Sequence, residues 1–140
     1  CALPIFQDAF AAHMPAPQQG KTSKFRFILL SGAFVEPDQS RTLFFLPEQR
    51  RGKGVTETKT IEFGERHREV WEALVIRPSG ILVGNSLRNS VAAFVLGTML
   101  VRVEELGAFV ADLVVNGSEE TVIKHSTIVE RGRELLHEAE

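Results

Sequence analysis

The side chains best suited to chemistry lie between Phe25 and Leu82. A strand-like run, Phe25-Arg26-Phe27-Ile28-Leu29-Leu30, delivers Ser31-Gly32 at its end. A polar segment follows with Gln49, Lys53-Gly54 and Glu57. A second apolar run, Ala73-Leu74-Val75-Ile76, closes with Arg77-Pro78-Ser79-Gly80-Ile81-Leu82. By residue type, Ser31 is a turn hydroxyl able to satisfy its own backbone. Lys53 is a cation beside Arg50 and Arg51, and Glu57 stands where an i, i+4 ion pair with it supports a helix.

Other chemistries lack their residues. A dinucleotide fingerprint needs Gly-x-Gly-x-x-Gly after a strand, so that the backbone meets a pyrophosphate at a helix N-terminus; the chain has none. Gly52-Lys53-Gly54 lacks the third Gly and the preceding strand. Gly20-Lys21-Thr22 imitates the end of a P-loop, but the required first Gly falls at Pro15 and a strand follows where a helix should open. His13, His67, His125 and His137 make no i, i+4 pair, and a single Cys cannot build a thiolate cage, so no metal site is expected. No Gly-x-Ser-x-Gly elbow is present. His67 reads as an exposed helix-end residue and Asp112 as solvated beside an apolar stripe.

The order strand, Ser31, helical Lys53, strand, Arg77-Pro78 resembles the rear half of the short-chain dehydrogenase/reductase family, in its atypical, epimerase-like branch. The resemblance covers about residues 3 to 136, through Val101-Arg102-Val103-Glu104-Glu105-Leu106, which looks like the start of that family's late helix. It implies an NAD(P) cofactor and a Ser31 hydroxyl that bonds a substrate carbonyl and steadies its developing charge. It further implies that Lys53 binds the cofactor ribose and that Arg77, Pro78 and Gly80 pass the nicotinamide end, here with Ser79 inserted before the Gly. The family places a Tyr four residues before the Lys. Here that position is Gln49, and the chain contains no Tyr.

Composition sets the frame. The 140 residues suit one domain spanning 1–140, with 44% hydrophobic and 24% charged residues, as in ordinary globular proteins. A net charge of −2, with Arg50, Arg51 and Lys53 as the only basic cluster, offers no face for nucleic acid or an anionic membrane. Cys1 alone forms no internal disulfide, and the N-terminal segment does not read as a secretory signal, so a cytoplasmic protein is expected. A start at Cys1 suggests a processed or partial chain. The apolar run Val91 to Val101 is about half of what a membrane span needs.

Periodicity supplies the elements. A helix is expected over 4–14, a Pro/Gly linker over 15–24, a strand over 25–30 covered on both faces, and an irregular loop with one helical turn over 36–52. A helix over 53–67 presents Val55, Thr58, Ile61 and Glu65 on one face. A strand over 70–77 ends at Pro78. Helices follow over 86–100 and 103–115, the latter with a stripe of Val103, Leu106, Val110, Leu113 and Val114. Asn116-Gly117-Ser118 fits a glycosylation sequon but reads as a helix-ending turn. A brief strand at Val122-Ile123 precedes a helix from Thr127, capped with Glu130, to about Ala139.

The result is an α/β fold: a partial Rossmann-like parallel sheet of two to three strands flanked by helices. The functional expectation is a reductase-like domain of NAD(P)-binding ancestry acting on a small organic carbonyl compound. Its candidate catalytic set is Ser31, Lys53 and Gln49, and its step is a reduction or a redox-neutral isomerisation or dehydration. The absent glycine fingerprint predicts weak dinucleotide binding by this chain alone. A non-catalytic binding or assembly domain is the alternative. The short sheet makes a homo-oligomer the expected assembly.

Overall fold

A computed structural model describes residues 3–13, 24–33, 47–83 and 99–138. In chain order the elements are α1 (Leu3–Ala12), β1 (Phe25–Leu30), α2 (Pro47–Arg66), β2 (Trp71–Arg77), β3 (Ile81–Leu82), β4 (Val101–Arg102), α3 (Val103–Asn116), β5 (Val122–Lys124) and α4 (His125–Glu138). The protein is α/β, with a small parallel sheet in the order β1-β2-β5 and flanking helices. Three amide bonds fix the β1–β2 register: Phe25 N–H donates to Val70 O at 2.8 Å, Ser31 N–H to Ile76 O at 2.9 Å and Ala33 N–H to Pro78 O at 3.0 Å. The offset in sequence is the same at all three, as parallel strands require. A separate parallel ribbon pairs Ile81 with Val101 and Leu82 with Arg102, which periodicity did not announce because each strand is two residues long.

The chain divides into two compact units, one of Cys1–Leu29 with Val35–Val75 and one of Leu30–Phe34 with Ile76–Glu140. In the first, Phe63, Trp71 and Ala73 form a buried core on which Phe25 and Phe27 pack. Trp71 is the hub: its ring centroid lies 4.6 Å from Phe25, 5.1 Å from Phe63 at a near-perpendicular angle and 5.7 Å from Phe27. Phe10 of α1 adds a ring 4.7 Å from Phe25. Each such pair contributes about 0.5–1.5 kcal/mol beyond its buried area. Arg26 and Glu72, on neighbouring strands, form an ion pair.

Several expectations for this unit change. β1 is half-buried along its length and ends on an exposed Leu30, because it is an edge strand among the described residues, while β2 takes the buried centre. α2 begins at Pro47, not at residue 53, since a proline with fixed φ and no N–H suits a first helical position. Its buried face is Gly54, Glu57, Thr60, Phe63 and Gly64. Val55 and Ile61 are half-buried, and Thr58 and Glu65 exposed. Phe63 decides the rotation, and Gly64 permits it: a Cβ there would lie 2.7 Å from the Ala73 Cβ. His67 is half-buried rather than exposed, with Nδ1 3.0 Å from Phe63 O and its ring stacked on Phe63 at 4.1 Å.

Among the described residues of the second unit the buried hydrophobic side chains are Ile76, Val101, Leu106, Phe109, Leu113, Ile123, Ile128 and Val129. α3 turns inward on Leu106, Phe109 and Leu113, with Val103 and Val114 exposed, because the large Phe109 side chain takes the place expected for the valines. The Glu105 carboxylate accepts the Arg102 N–H at 3.0 Å and pairs with Arg133 Nε at 3.0 Å. At the other end Gly117 adopts φ 75° and returns its N–H to Leu113 O at 3.0 Å, the helix-ending turn that its sequence suggested. Asp112 is half-buried and paired: it accepts Asn116 Nδ2 at 2.7 Å and lies 3.6 Å from Arg131 Nε. α4 starts at His125, so Thr127 lies within its first turn rather than at its cap. The linker at 15–23, the loop at 36–46 and the helix at 86–98 lie outside the described residues.

Candidate functional site at the carboxyl edge of the sheet

In an open parallel sheet the strand carboxyl ends leave a crevice where polar groups converge on ligands. Three chain segments leave that edge: Ser31-Gly32-Ala33 after β1, Pro78-Ser79-Gly80 after β2, and His125 directly after β5. Ser31 is drawn to β2 by its N–H bond to Ile76 O. Its Oγ is buried and finds no hydrogen-bond partner among the described residues. A buried hydroxyl left unpaired costs about 1–3 kcal/mol, so an acceptor or donor brought to this atom would be favoured.

The Pro78–Ser79 peptide links the three segments. Its carbonyl accepts the Ala33 N–H at 3.0 Å, and its N–H donates to Nδ1 of His125 at 3.2 Å. Peptide C=O and N–H point in opposite directions across a trans bond, and no cis peptide is present among the described residues. This single plane is therefore held from both sides. Pro78 is buried, while Arg77, Ser79 and Gly80 are half-buried. The Gly80 carbonyl accepts the Val101 N–H at 2.9 Å and so opens the β3–β4 ribbon. Among the described residues, a Cβ on Gly80 would meet Leu100 Cδ2, at 2.6 Å, and Met99 O, at 3.6 Å.

Ser31, Arg77, Pro78 and Gly80 thus belong to one unit, tied together by backbone bonds. Lys53 belongs to the other, exposed on α2. Gln49 lies one turn earlier on that helix, and its side chain is outside the described residues. Comparison of the chain with protein-family models, curated proteins and solved structures gives no significant match.

His125 is the residue that sequence reasoning passed over, dismissed with the other histidines as unpaired. The signal that finds it is positional: it is the first helical residue after a short parallel strand, where ligand-facing groups of such sheets gather. Among the described residues no group of three His, Cys, Asp or Glu side chains forms a metal site, and no helix is long and apolar enough to cross a membrane.

Proposed function

We propose that this protein is a reductase-like domain of NAD(P)-binding ancestry that acts on a small organic carbonyl compound at the carboxyl edge of its sheet. The buried Ser31 hydroxyl, without a partner among the described residues, carries this reading. Placed against a substrate carbonyl, it donates to the oxygen as negative charge builds there. Arg77 and the Pro78-Ser79-Gly80 turn border the same edge.

Fit to the cofactor is one-sided. The edge residues suit the substrate and nicotinamide end, whereas the sequence has no glycine-rich turn for the pyrophosphate. With no Tyr in the chain, the usual phenol acid/base is absent as well. A redox-neutral isomerisation or dehydration, which needs no hydride donor, therefore belongs to the same proposal. The missing phenol also favours the second reading, a non-catalytic domain that retains a carbonyl-binding edge.

Titration of the chain with NADH and NADPH, followed by calorimetry, is expected to give weak binding without micromolar saturation. Tight saturable binding overturns the one-sided fit. Ser31→Ala is expected to abolish turnover of a small carbonyl substrate while leaving stability equal or about 1 kcal/mol higher, because an unpaired buried hydroxyl is removed. Unchanged turnover takes Ser31 out of the site.

A further inference from the structure

We infer that His125 is a positioning residue for this site: its neutral imidazole fixes the Pro78–Ser79 peptide and, through that peptide, the loop that carries Ser31. The inference rests on the reading above only for what the positioned hydroxyl does. Two bonds carry the geometry. Ser79 N–H donates to His125 Nδ1 at 3.2 Å, and the carbonyl of the same peptide accepts the Ala33 N–H at 3.0 Å. A rigid planar unit cannot rotate at one end alone. Releasing the N–H from His125 frees the carbonyl to swing, and Ala33 loses its acceptor two residues beyond Ser31.

The ring chemistry follows from the same contact. A nitrogen that accepts an N–H carries no proton, so the hydrogen of the neutral ring sits on Nε2. The bond and a protonated Nδ1 exclude each other. His125 is therefore no proton donor through Nδ1, and its contribution is geometric. The strand order gives the scale. Neighbouring strands lie about 4.8 Å apart, so the chain leaving β1 and the chain leaving β5 stand roughly 10 Å apart across the end of β2. One peptide with a loop amide on one side and an imidazole on the other bridges that gap. Few residues other than His offer a flat acceptor at this reach; Asn places its Oδ1 near the Nδ1 position, and Gln does not.

The test is residue-resolved amide exchange on the full chain and on His125→Ala, His125→Asn and His125→Gln. His125→Ala is expected to speed exchange at both Ser79 and Ala33 at least fivefold, His125→Asn to restore protection at both, and His125→Gln to restore neither. Unchanged exchange at either amide in His125→Ala overturns the inference, as does equal rescue by Gln. A second measurement uses cyclohexanone as a carbonyl probe, followed by shifts of the Ser31 and Ala33 amides. Its affinity is expected to fall severalfold in His125→Ala and to recover in His125→Asn; an unchanged affinity removes the functional part of the positioning role. Absence of any shift in the unmodified protein overturns the carbonyl-binding reading alone, while exchange still decides whether His125 holds the loop.

Discussion

Gly132 and Gly107 sit in neighbouring helices and should respond to the same substitution with opposite sign. Alanine normally improves a helix interior by up to about 1 kcal/mol over glycine. At Gly132 on α4, however, a Cβ would lie 2.4 Å from Glu105 O, 2.9 Å from Glu105 C and 3.2 Å from Glu105 Cα. Carbon contacts are comfortable only beyond about 3.5 Å, so α3 and α4 must part locally by about 1 Å. The obstacle is backbone and has no flexible tip to swing aside. Glu105 is moreover held at both carboxylate oxygens, by Arg102 N–H and Arg133. Overpacking of this kind costs about 1–3 kcal/mol, and the larger part survives subtraction of the helix gain. Gly132→Ala is therefore expected to destabilise the protein by about 1–2 kcal/mol. At Gly107 on α3 nothing among the described residues lies within 4 Å of the added carbon, and Gly107→Ala should stabilise by about 0.5–1 kcal/mol. Urea denaturation followed by circular dichroism reads both, and thermal midpoints should move by roughly 3–5 °C per kcal/mol for a chain of this size. A Gly132→Ala protein as stable as the parent refutes the close helix contact.

Glu105→Ala removes an acceptor for a helix N-terminal amide and leaves Arg133 without its nearly buried partner; a loss of about 2–3 kcal/mol in urea denaturation is expected, and Glu105→Gln should recover the capping part. Lys53→Ala, at an exposed position, is expected to leave stability within about 0.5 kcal/mol of the parent in urea denaturation; a larger loss would mean that the Lys53 side chain carries a structural contact.

Much of the fold was legible because its signals are local. The hexapeptide Phe25–Leu30, apolar but for Arg26, and the run into Arg77-Pro78 state two strands, and Asn116-Gly117 states a helix end. Helix faces were harder. Counting apolar residues on α2 favours Val55 and Ile61, yet the structure buries Glu57 and Thr60 beside Phe63 because the tight approach at Gly64 and Ala73 sets the rotation. That constraint is tertiary and leaves no periodic trace. The same holds for Asp112, whose partner Arg131 lies on the next helix. At the site, Ser31 was visible as a hydroxyl at a strand end, but its lack of a partner among the described residues is a property of the packed state. His125 escaped notice because its bond to Ser79 spans 46 residues.

Trp71 gives the aromatic core an optical consequence. It is the chain's single tryptophan, only 1% exposed, and the chain has no tyrosine, so ultraviolet emission originates from one indole in the first unit. The second unit has no fluorophore of comparable strength. Emission therefore follows the melting of one unit, while circular dichroism averages helices from both. Coincident curves would mean that the two halves melt as one, and separated curves that each holds its own reserve of stability.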